Sequence, residues 1–341
     1  MKKRFKTLLI YIVSFCLFLE LISHVDSFVK GHNSPLSFET IQIKDELGVR
    51  GIPYGKWEKI TLNRYGFNDS DNYTKEEKNH AVRVMCLGDS VTFGTFTAPY
   101  NWVVFLEEIL AAQDIDVEVI NASMPGNTYP QIVDRFQEEY LEFYPDILLV
   151  YKGFRYYMAQ EADNSLPEKG IWERLGRRSA FIRLILDHQP QDPYRRLLKE
   201  RGRKGITCLV DGVTEKQLAR YREDLTRLIR LCRREGITLV LTPFPTLIDE
   251  RNREQYIDLV YSGLYFYPSI SADAYIEGIP RFNEVTRKFA EQNGIMYVDI
   301  SEGLERTKEY FEDRAHLSVK GSKRVAENYA EALAGYIESA Y

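Results

Sequence analysis

The sequence predicts an α/β domain in which helices cover both faces of a parallel β-sheet. Five short apolar runs of strand length follow one another along the chain, and segments with helical periodicity lie between them. Strands that alternate with helices of this size are typical of a parallel sheet. The apolar runs are residues 82–87, 117–120, 147–151, 238–242 and 295–298. The helical segments are residues 102–111, 132–143, 218–234, 282–292 and 319–337.

Length and composition bound the functions that this chain can have. Its 341 residues, 44% of them hydrophobic, can bury a substantial core as one large domain or two smaller ones. The net charge of −5 argues against a nucleic-acid partner, because no basic excess exists to meet phosphates. The four cysteines show no metal-ligand spacing, and no phosphate-binding glycine motif follows the first apolar run. We therefore expect neither a metal nor another cofactor.

The N-terminus has the features of a membrane-targeting segment. MKKRFK carries four positive charges, and an apolar run follows from residue 7 to residue 19. Such a start describes either a secretory signal or an uncleaved membrane anchor. No small-x-small cleavage site follows, so an anchor over residues 1–27 is favoured over a cleaved signal or a buried helix. Basic residues stay in the cytoplasm, which predicts that the rest of the chain is extracytoplasmic, in a bacterial cell envelope.

The remainder of the chain divides into a lead-in and the α/β domain. Residues 28–80 are irregular and polar, which predicts a juxtamembrane lead-in, and residues 81–341 form the domain. Two segments within it exceed a minimal α/β unit: 156–213 is charged and Arg-rich, and 244–280 is loop-like and aromatic. Both follow predicted strands, and α/β sheets bind ligands beyond the carboxyl ends of their strands. These insertions are therefore candidate lids or substrate walls, with structural decoration or an oligomer contact as the alternative.

A candidate nucleophile follows the first predicted strand. Gly88-Asp89-Ser90 places a serine ahead of a helix, where backbone N–H groups and the helix dipole favour negative charge. Most Gly-Asp-Ser triplets only form turns, because each of the three residue types is suited to a turn. Thr92 stands where the G-x-S-x-G nucleophile elbow has glycine. Ser90 therefore needs other support, because a serine hydroxyl attacks only when a histidine accepts its proton and a carboxylate orients that histidine.

His316 is the histidine whose position fits this role. It lies after the last predicted strand and just before the last helix, which predicts the same sheet edge as Ser90. Asp313, three residues earlier, can reach the imidazole if the segment turns. The other four histidines lie near the N-terminal apolar run, before the first strand or in the polar first insertion: His24, His32, His80 and His188.

These motifs together resemble the SGNH/GDSL hydrolases, an esterase–lipase superfamily, from about residue 82 to residue 337. The first block is Gly88-Asp89-Ser90 with Thr-Phe-Gly behind it, the second is NASMPGNT at 121–128, and the last is DRAHLS at 313–318. The resemblance implies a three-layer α/β/α, flavodoxin-like fold. It also implies roles for four residues: Ser90 as nucleophile, His316 as base, Asp313 as its orienter, and Gly126 as an oxyanion donor through its backbone N–H beside that of Ser90.

One block departs from the family pattern. The family usually has Gly-x-Asn-Asp after the third strand, and its Asn supplies a further oxyanion donor. Here the glycine of this block is present as Gly153, but Arg155 occupies the Asn position. Losing one such donor costs about 2.7–4 kcal/mol in serine hydrolases. Two interpretations stay open: Arg155 acts at the site, as a donor or by binding an acidic substrate group, or it points to solvent and the enzyme is slow.

The resemblance implies an ester hydrolase that works through an acyl-enzyme on Ser90. The expected partner is an acylated small molecule, glycan or lipid, with O-acyl groups of a cell-surface glycan favoured. The anchor and lead-in look like membrane-tethered bacterial members associated with surface polysaccharides, and the Tyr-rich segment 256–275 suits sugar stacking or an acyl pocket. The alternatives are a glycan O-acyltransferase and a catalytically impaired glycan-binding or assembly protein of the same fold.

Overall fold

The computed structural model describes residues 40–75, 78, 80–159 and 192–341, together with residues 11, 14–15 and 18–22. In this part of the chain, no helix has both the length and the apolar character needed to cross a membrane. Most of the predicted anchor over residues 1–27 lies outside the described residues, and so do residues 28–39 and 160–191. The anchor and the boundaries at residues 27 and 80 therefore stay predictions.

Two short antiparallel hairpins precede the main sheet. Strand β1 (Gln42–Asp45) pairs with β2 (Gly48–Gly51), and β3 (Lys56–Trp57) pairs with β4 (Ile60–Thr61). The sequence predicts an irregular segment here, because strands of two to four residues carry too little alternation to be recognised. The hairpins share a small apolar core with the domain, made of Ile41, Val49, Ile60, Leu62, Phe93 and Met124. The described part of the lead-in thus packs directly on the domain.

The centre of the domain is a five-stranded parallel sheet, which confirms the predicted α/β class. Its strands are β5 (Val82–Gly88), β6 (Val117–Asn121), β7 (Ile147–Tyr151), β8 (Thr238–Leu241) and β9 (Met296–Tyr297). Their order in the sheet is β6-β5-β7-β8-β9, the 2-1-3-4-5 pattern of flavodoxin-like folds. Every residue of β5, β6 and β7 is buried, as expected for a parallel sheet covered on both faces.

Helices cover the two faces of this sheet. They are α1 (Ser90–Phe93), α2 (Trp102–Ala111), α3 (Tyr129–Arg135), α4 (Arg155–Ala159), α5 (Pro193–Arg203), α6 (Glu215–Glu235), α7 (Arg253–Leu264), α8 (Ala272–Asn293) and α9 (Val319–Ala340). A π-helical turn and a 3₁₀ turn continue α3 as far as residue 143. Right-handed crossovers place α2 on one face and α3, α6 and α8 on the other, and α9 packs against α2.

The second insertion is more regular than the sequence predicts. Instead of a loop over residues 244–280, the structure has helix α7 and the first turns of α8. Val260 and Leu264 are buried one helical turn apart, while Tyr261 packs on Tyr194 of α5 with the ring centroids 4.8 Å apart. The helix was missed because packing against α5 stabilises it, and this partner is about 60 residues away in the sequence.

Gly88 closes β5 at a point where no side chain fits. A Cβ atom there would lie 2.2 Å from Thr92 Oγ1 and 2.3 Å from the carbonyl oxygen of Tyr151. We expect Gly88→Ala to lower the free energy of unfolding by about 1–3 kcal/mol, since overpacking displaces backbone. Gly335→Ala is the matched control: it lies in α9 with nothing within 4 Å of the added Cβ, and should stabilise by about 0.5–1 kcal/mol. Urea unfolding measures both; equal effects of the two substitutions would contradict this interpretation.

Candidate active site

The residues proposed from the sequence meet at the carboxyl edge of the sheet. Ser90 follows β5, Gly126 follows β6 and Arg155 follows β7, and all three line one cavity of about 320 Å³. The segment with Asp313 and His316 follows β9 and reaches the same edge. Parallel strands end on the same side, so residues from four separate connections converge here.

A short, tight turn presents Ser90. It is the first residue of α1, whose N-cap Asp89 accepts a hydrogen bond from the backbone N–H of Val91 at 3.3 Å. The four-residue helix ends at Gly94 in the left-handed conformation, with φ of 79°. Thr92 Oγ1 donates to the carbonyl oxygen of Tyr151 at 2.8 Å, which ties the turn to the end of β7. The threonine that rules out a nucleophile elbow therefore anchors this turn.

A second turn presents His316. Phe311 and Leu317 form an isolated antiparallel bridge, and the N–H of Glu312 donates to the carbonyl oxygen of His316 at 2.9 Å. Within the turn, Asp313 Oδ1 accepts the backbone N–H groups of Ala315 and His316, each at 2.8 Å. Spacing of three residues works because this Asx-type turn folds the carboxylate back over the imidazole.

Ser90, His316 and Asp313 form one hydrogen-bonded chain. Ser90 Oγ lies 2.7 Å from His316 Nε2, and His316 Nδ1 lies 2.8 Å from Asp313 Oδ2. Burial opposes ionisation of Asp313, but the hydrogen bond and charge of His316, with the charge of Arg314, hold the pKa of its carboxyl well below the usual range. An ionised Asp313 accepts the proton of Nδ1, so Nε2 is free to accept the proton of the serine hydroxyl.

A buried ion pair supports the nucleophile turn, and the sequence interpretation missed it. Lys152 Nζ lies 3.2 Å from Asp89 Oδ2, and both side chains are less than a tenth exposed. Burial raises the pKa of Asp89, but the charges of Lys152 and Arg155 and the hydrogen bond from Val91 lower it to about 2. The pair joins the residue before Ser90 to the end of β7. The available signal was Lys152 itself, a charge placed directly after a fully apolar strand.

Two backbone N–H groups can serve as oxyanion donors. Those of Ser90 and Gly126 donate to no residue in the described part of the chain, so both are free for a substrate oxygen. Gly126 has a φ of 95°, a conformation that side chains disfavour. Its neighbour Asn127 accepts from the N–H of Val49 and donates to its carbonyl oxygen, both at 2.7 Å. Strand β2 of the first hairpin therefore holds the loop of Gly126 and Asn127 in place.

Arg155 points into the cavity region rather than away from it. It lines the cavity, and its guanidinium carbon lies 4.9 Å from the centroid of the Tyr267 ring. Burial lowers its pKa, but Tyr267 and Tyr275, with the charges of Asp89 and Asp313, raise the pKa above the usual value overall. Arg155 thus lies at the cavity wall, and its role there stays a prediction.

Several residues at the cavity or beside His316 carry no recognisable sequence signal. Phe96, 58% exposed, lies edge-on to the His316 ring with the centroids 4.7 Å apart. Both insertions reach the cavity, the first through Lys204 and Ile206 and the second through Phe266 and Tyr267.

His80 lies at the start of β5, 2.7 Å from Asp116 and at the opposite end of that strand from Ser90. His24, His32 and His188 lie outside the described residues.

Solved structures that match this chain include three bacterial proteins. A putative acylhydrolase from Bacteroides fragilis is 14% identical, with 76% of this chain and 90% of that chain covered and a TM-score of 0.44. A catalytic mutant of an acetylxylan esterase from Geobacillus stearothermophilus is 15% identical, with 75% and 95% covered and a TM-score of 0.46. A lipase/acylhydrolase from Enterococcus faecalis is 17% identical, with 75% and 96% covered and a TM-score of 0.44. No curated protein matches the sequence.

The family itself is decided by the sequence match. The GDSL-like lipase/acylhydrolase model matches residues 86–324, from the strand before the nucleophile turn to the first turns of α9. The match includes Ser90 near its start and His316 near its end. Since it covers more than half of the 341 residues, the chain belongs to the GDSL-like lipase/acylhydrolase family.

Proposed function

We propose that this protein is a serine esterase that hydrolyses carboxylic esters through an acyl-enzyme on Ser90. The observation that carries the proposal is the continuous hydrogen-bonded chain from Ser90 through His316 to Asp313, with links of 2.7 and 2.8 Å. A nucleophile, a base and a group that orients the base are the three parts that this chemistry needs. Backbone donors beside the serine supply the fourth.

The reaction proceeds in two halves. Ser90 Oγ attacks the ester carbonyl while its proton passes to His316 Nε2, and the N–H groups of Ser90 and Gly126 bind the resulting oxyanion. Collapse of the tetrahedral intermediate breaks the ester C–O bond, and His316 gives its proton to the departing alcohol. Water then attacks the acyl-enzyme with His316 as base, the C–O bond to Ser90 breaks, His316 returns the proton to Ser90 Oγ, and the carboxylic acid leaves. Throughout, Asp313 holds the imidazole and stabilises its charged form.

We further propose that the substrate is an O-acyl group of a cell-surface glycan and that the reaction takes place outside the cytoplasm. Support for the location comes from the basic and apolar N-terminus. The aromatic rings of Phe266 and Tyr267 at the cavity, and of Phe96 beside His316, suit a sugar face. Product analysis with and without a sugar acceptor separates the hydrolase from an acyltransferase of the same site.

A fluorophosphonate probe tests the nucleophile directly. We expect wild-type protein to be labelled, because the probe reacts with a serine hydroxyl that a neighbouring base activates. Ser90→Ala should give no label. Ser262→Ala, which removes an exposed hydroxyl bonded to the carbonyl oxygen of Asp258, is the matched control and should label fully. Absence of label on folded wild-type protein would sink the esterase proposal and favour a catalytically impaired binding protein.

A further inference from the structure

The cavity beside the nucleophile has an excess of positive charge, although the whole chain has a net charge of −5. Among the described residues, its charged lining consists of one acid and three cations: Asp89, Lys152, Arg155 and Lys204. Lys152 is neutralised, since its ammonium pairs with the Asp89 carboxylate at 3.2 Å. Lys204 lies 3.4 Å from Glu200, a carboxylate that Arg203 also binds, at 2.8 Å. The least compensated cation of the cavity is therefore Arg155.

Arg155 is held in place by stacking, and its hydrogen-bond donors have no partner among the residues that the structure describes. Its guanidinium stacks on Tyr267 at 4.9 Å from the ring centroid, a contact that fixes the group but satisfies none of its five N–H donors. No carboxylate of the described residues lies within ion-pair distance of it, and it donates no hydrogen bond to them. Its donors are therefore available to a ligand that enters the cavity.

We propose that Arg155 forms an anion subsite, so that the preferred ester carries a carboxylate or phosphate group close to the scissile bond. This inference rests on the proposed esterase function and specifies its substrate class. A guanidinium presents a planar fork that matches two oxygens of a carboxylate or phosphate. Lys204, on the same cavity, adds to the attraction.

The anion can belong to either half of the ester, and matched substrates separate the two cases. For the acyl half, the pair is mono-4-methylumbelliferyl succinate against 4-methylumbelliferyl acetate. For the alcohol half, the pair is 3-acetoxybenzoate against phenyl acetate. In each pair the reacting ester is closely similar and the carboxylate is the principal difference. The quantity measured is the ratio of kcat/KM for the charged ester to kcat/KM for its neutral partner.

We expect Arg155→Met to lower this ratio about 10- to 100-fold in one of the two pairs, the range for loss of a charge-assisted hydrogen bond. Arg196→Met is the matched control, because Arg196 also stacks on a tyrosine, at 5.3 Å from the centroid of Tyr265, but does not line the cavity. It should leave both ratios unchanged. An equal loss on charged and neutral esters leaves the ratios unchanged; it would make Arg155 an oxyanion donor and overturn the anion subsite. Unchanged kcat/KM values on all four esters would overturn it as well.

A binding measurement keeps this inference separate from the esterase proposal. Ser90→Ala protein is titrated calorimetrically with monomethyl succinate, which carries its anion in the acyl half, and separately with 3-acetoxybenzoate, which carries it in the alcohol half. Neither titration needs turnover. With one of the two ligands we expect binding heat that is lost in the Ser90→Ala, Arg155→Met double variant. If the wild type hydrolyses no ester and takes no fluorophosphonate, the esterase proposal fails, and these titrations still decide the anion subsite. Equal heats in the two proteins with both ligands, or no heat with either ligand, would overturn it.

Discussion

Ser90→Ala is expected to lower kcat for ester hydrolysis by about 10⁶-fold, the size of the loss when a serine hydrolase loses its nucleophile. The reason is that Ser90 Oγ lies 2.7 Å from His316 Nε2, and no other hydroxyl of the described residues is bonded to that imidazole. Steady-state hydrolysis of 4-methylumbelliferyl acetate measures the loss. His316→Ala should cost nearly as much, and the double variant little more than either, because nucleophile and base act as one unit.

The control for this prediction is Ser262→Ala, whose hydroxyl lies on the exposed side of α7. Its kcat should match that of the wild type. Retention of more than about a hundredth of the wild-type kcat by Ser90→Ala would contradict an acyl-enzyme on Ser90. Additive losses for Ser90→Ala and His316→Ala would show that the two side chains do not act on the same proton.

Asp313→Asn should lower kcat by about 10⁴-fold while the protein stays folded. An amide at this position donates a hydrogen bond to His316 Nδ1, so the imidazole proton lies on Nε2 instead. A protonated Nε2 can no longer accept the proton of Ser90. The variant still accepts the backbone N–H groups of Ala315 and His316, so the turn survives. The expected pattern is therefore a loss in kcat with circular dichroism and cooperative unfolding preserved.

The stability of the same variant gives an independent readout through its dependence on pH. The pKa of Asp313 is lower in the folded protein than its usual value, so ionisation stabilises the fold above about pH 4, the value for an unfolded aspartate. This contribution is lost as the pH falls below that value. Asp313→Asn should thus flatten the acid side of the stability curve. Asp258→Asn, which changes an exposed aspartate on α7, should leave kcat unchanged. A kcat for Asp313→Asn within tenfold of wild type would refute the role of Asp313.

Much of the sheet could be predicted from the sequence because buried parallel strands are continuous apolar runs. The prediction for β7 matches its observed range, and those for β5 and β6 are each one residue short. The hairpins at residues 42–61 and helix α7 could not be predicted in the same way. Short strands lack a measurable period, and α7 depends on packing against α5, which lies far away in the sequence.

The site divides along the same line. Gly88-Asp89-Ser90 and the Asp313–His316 spacing are local patterns, so the sequence alone determined the candidate nucleophile, base and orienting carboxylate and the family to which they point. Their approach to 2.7 and 2.8 Å, the Asp89–Lys152 ion pair and the stacking of Arg155 on Tyr267 were decided by tertiary structure. The physical reason is that a parallel sheet brings the ends of distant strands to one edge, and contacts between those ends follow no local period.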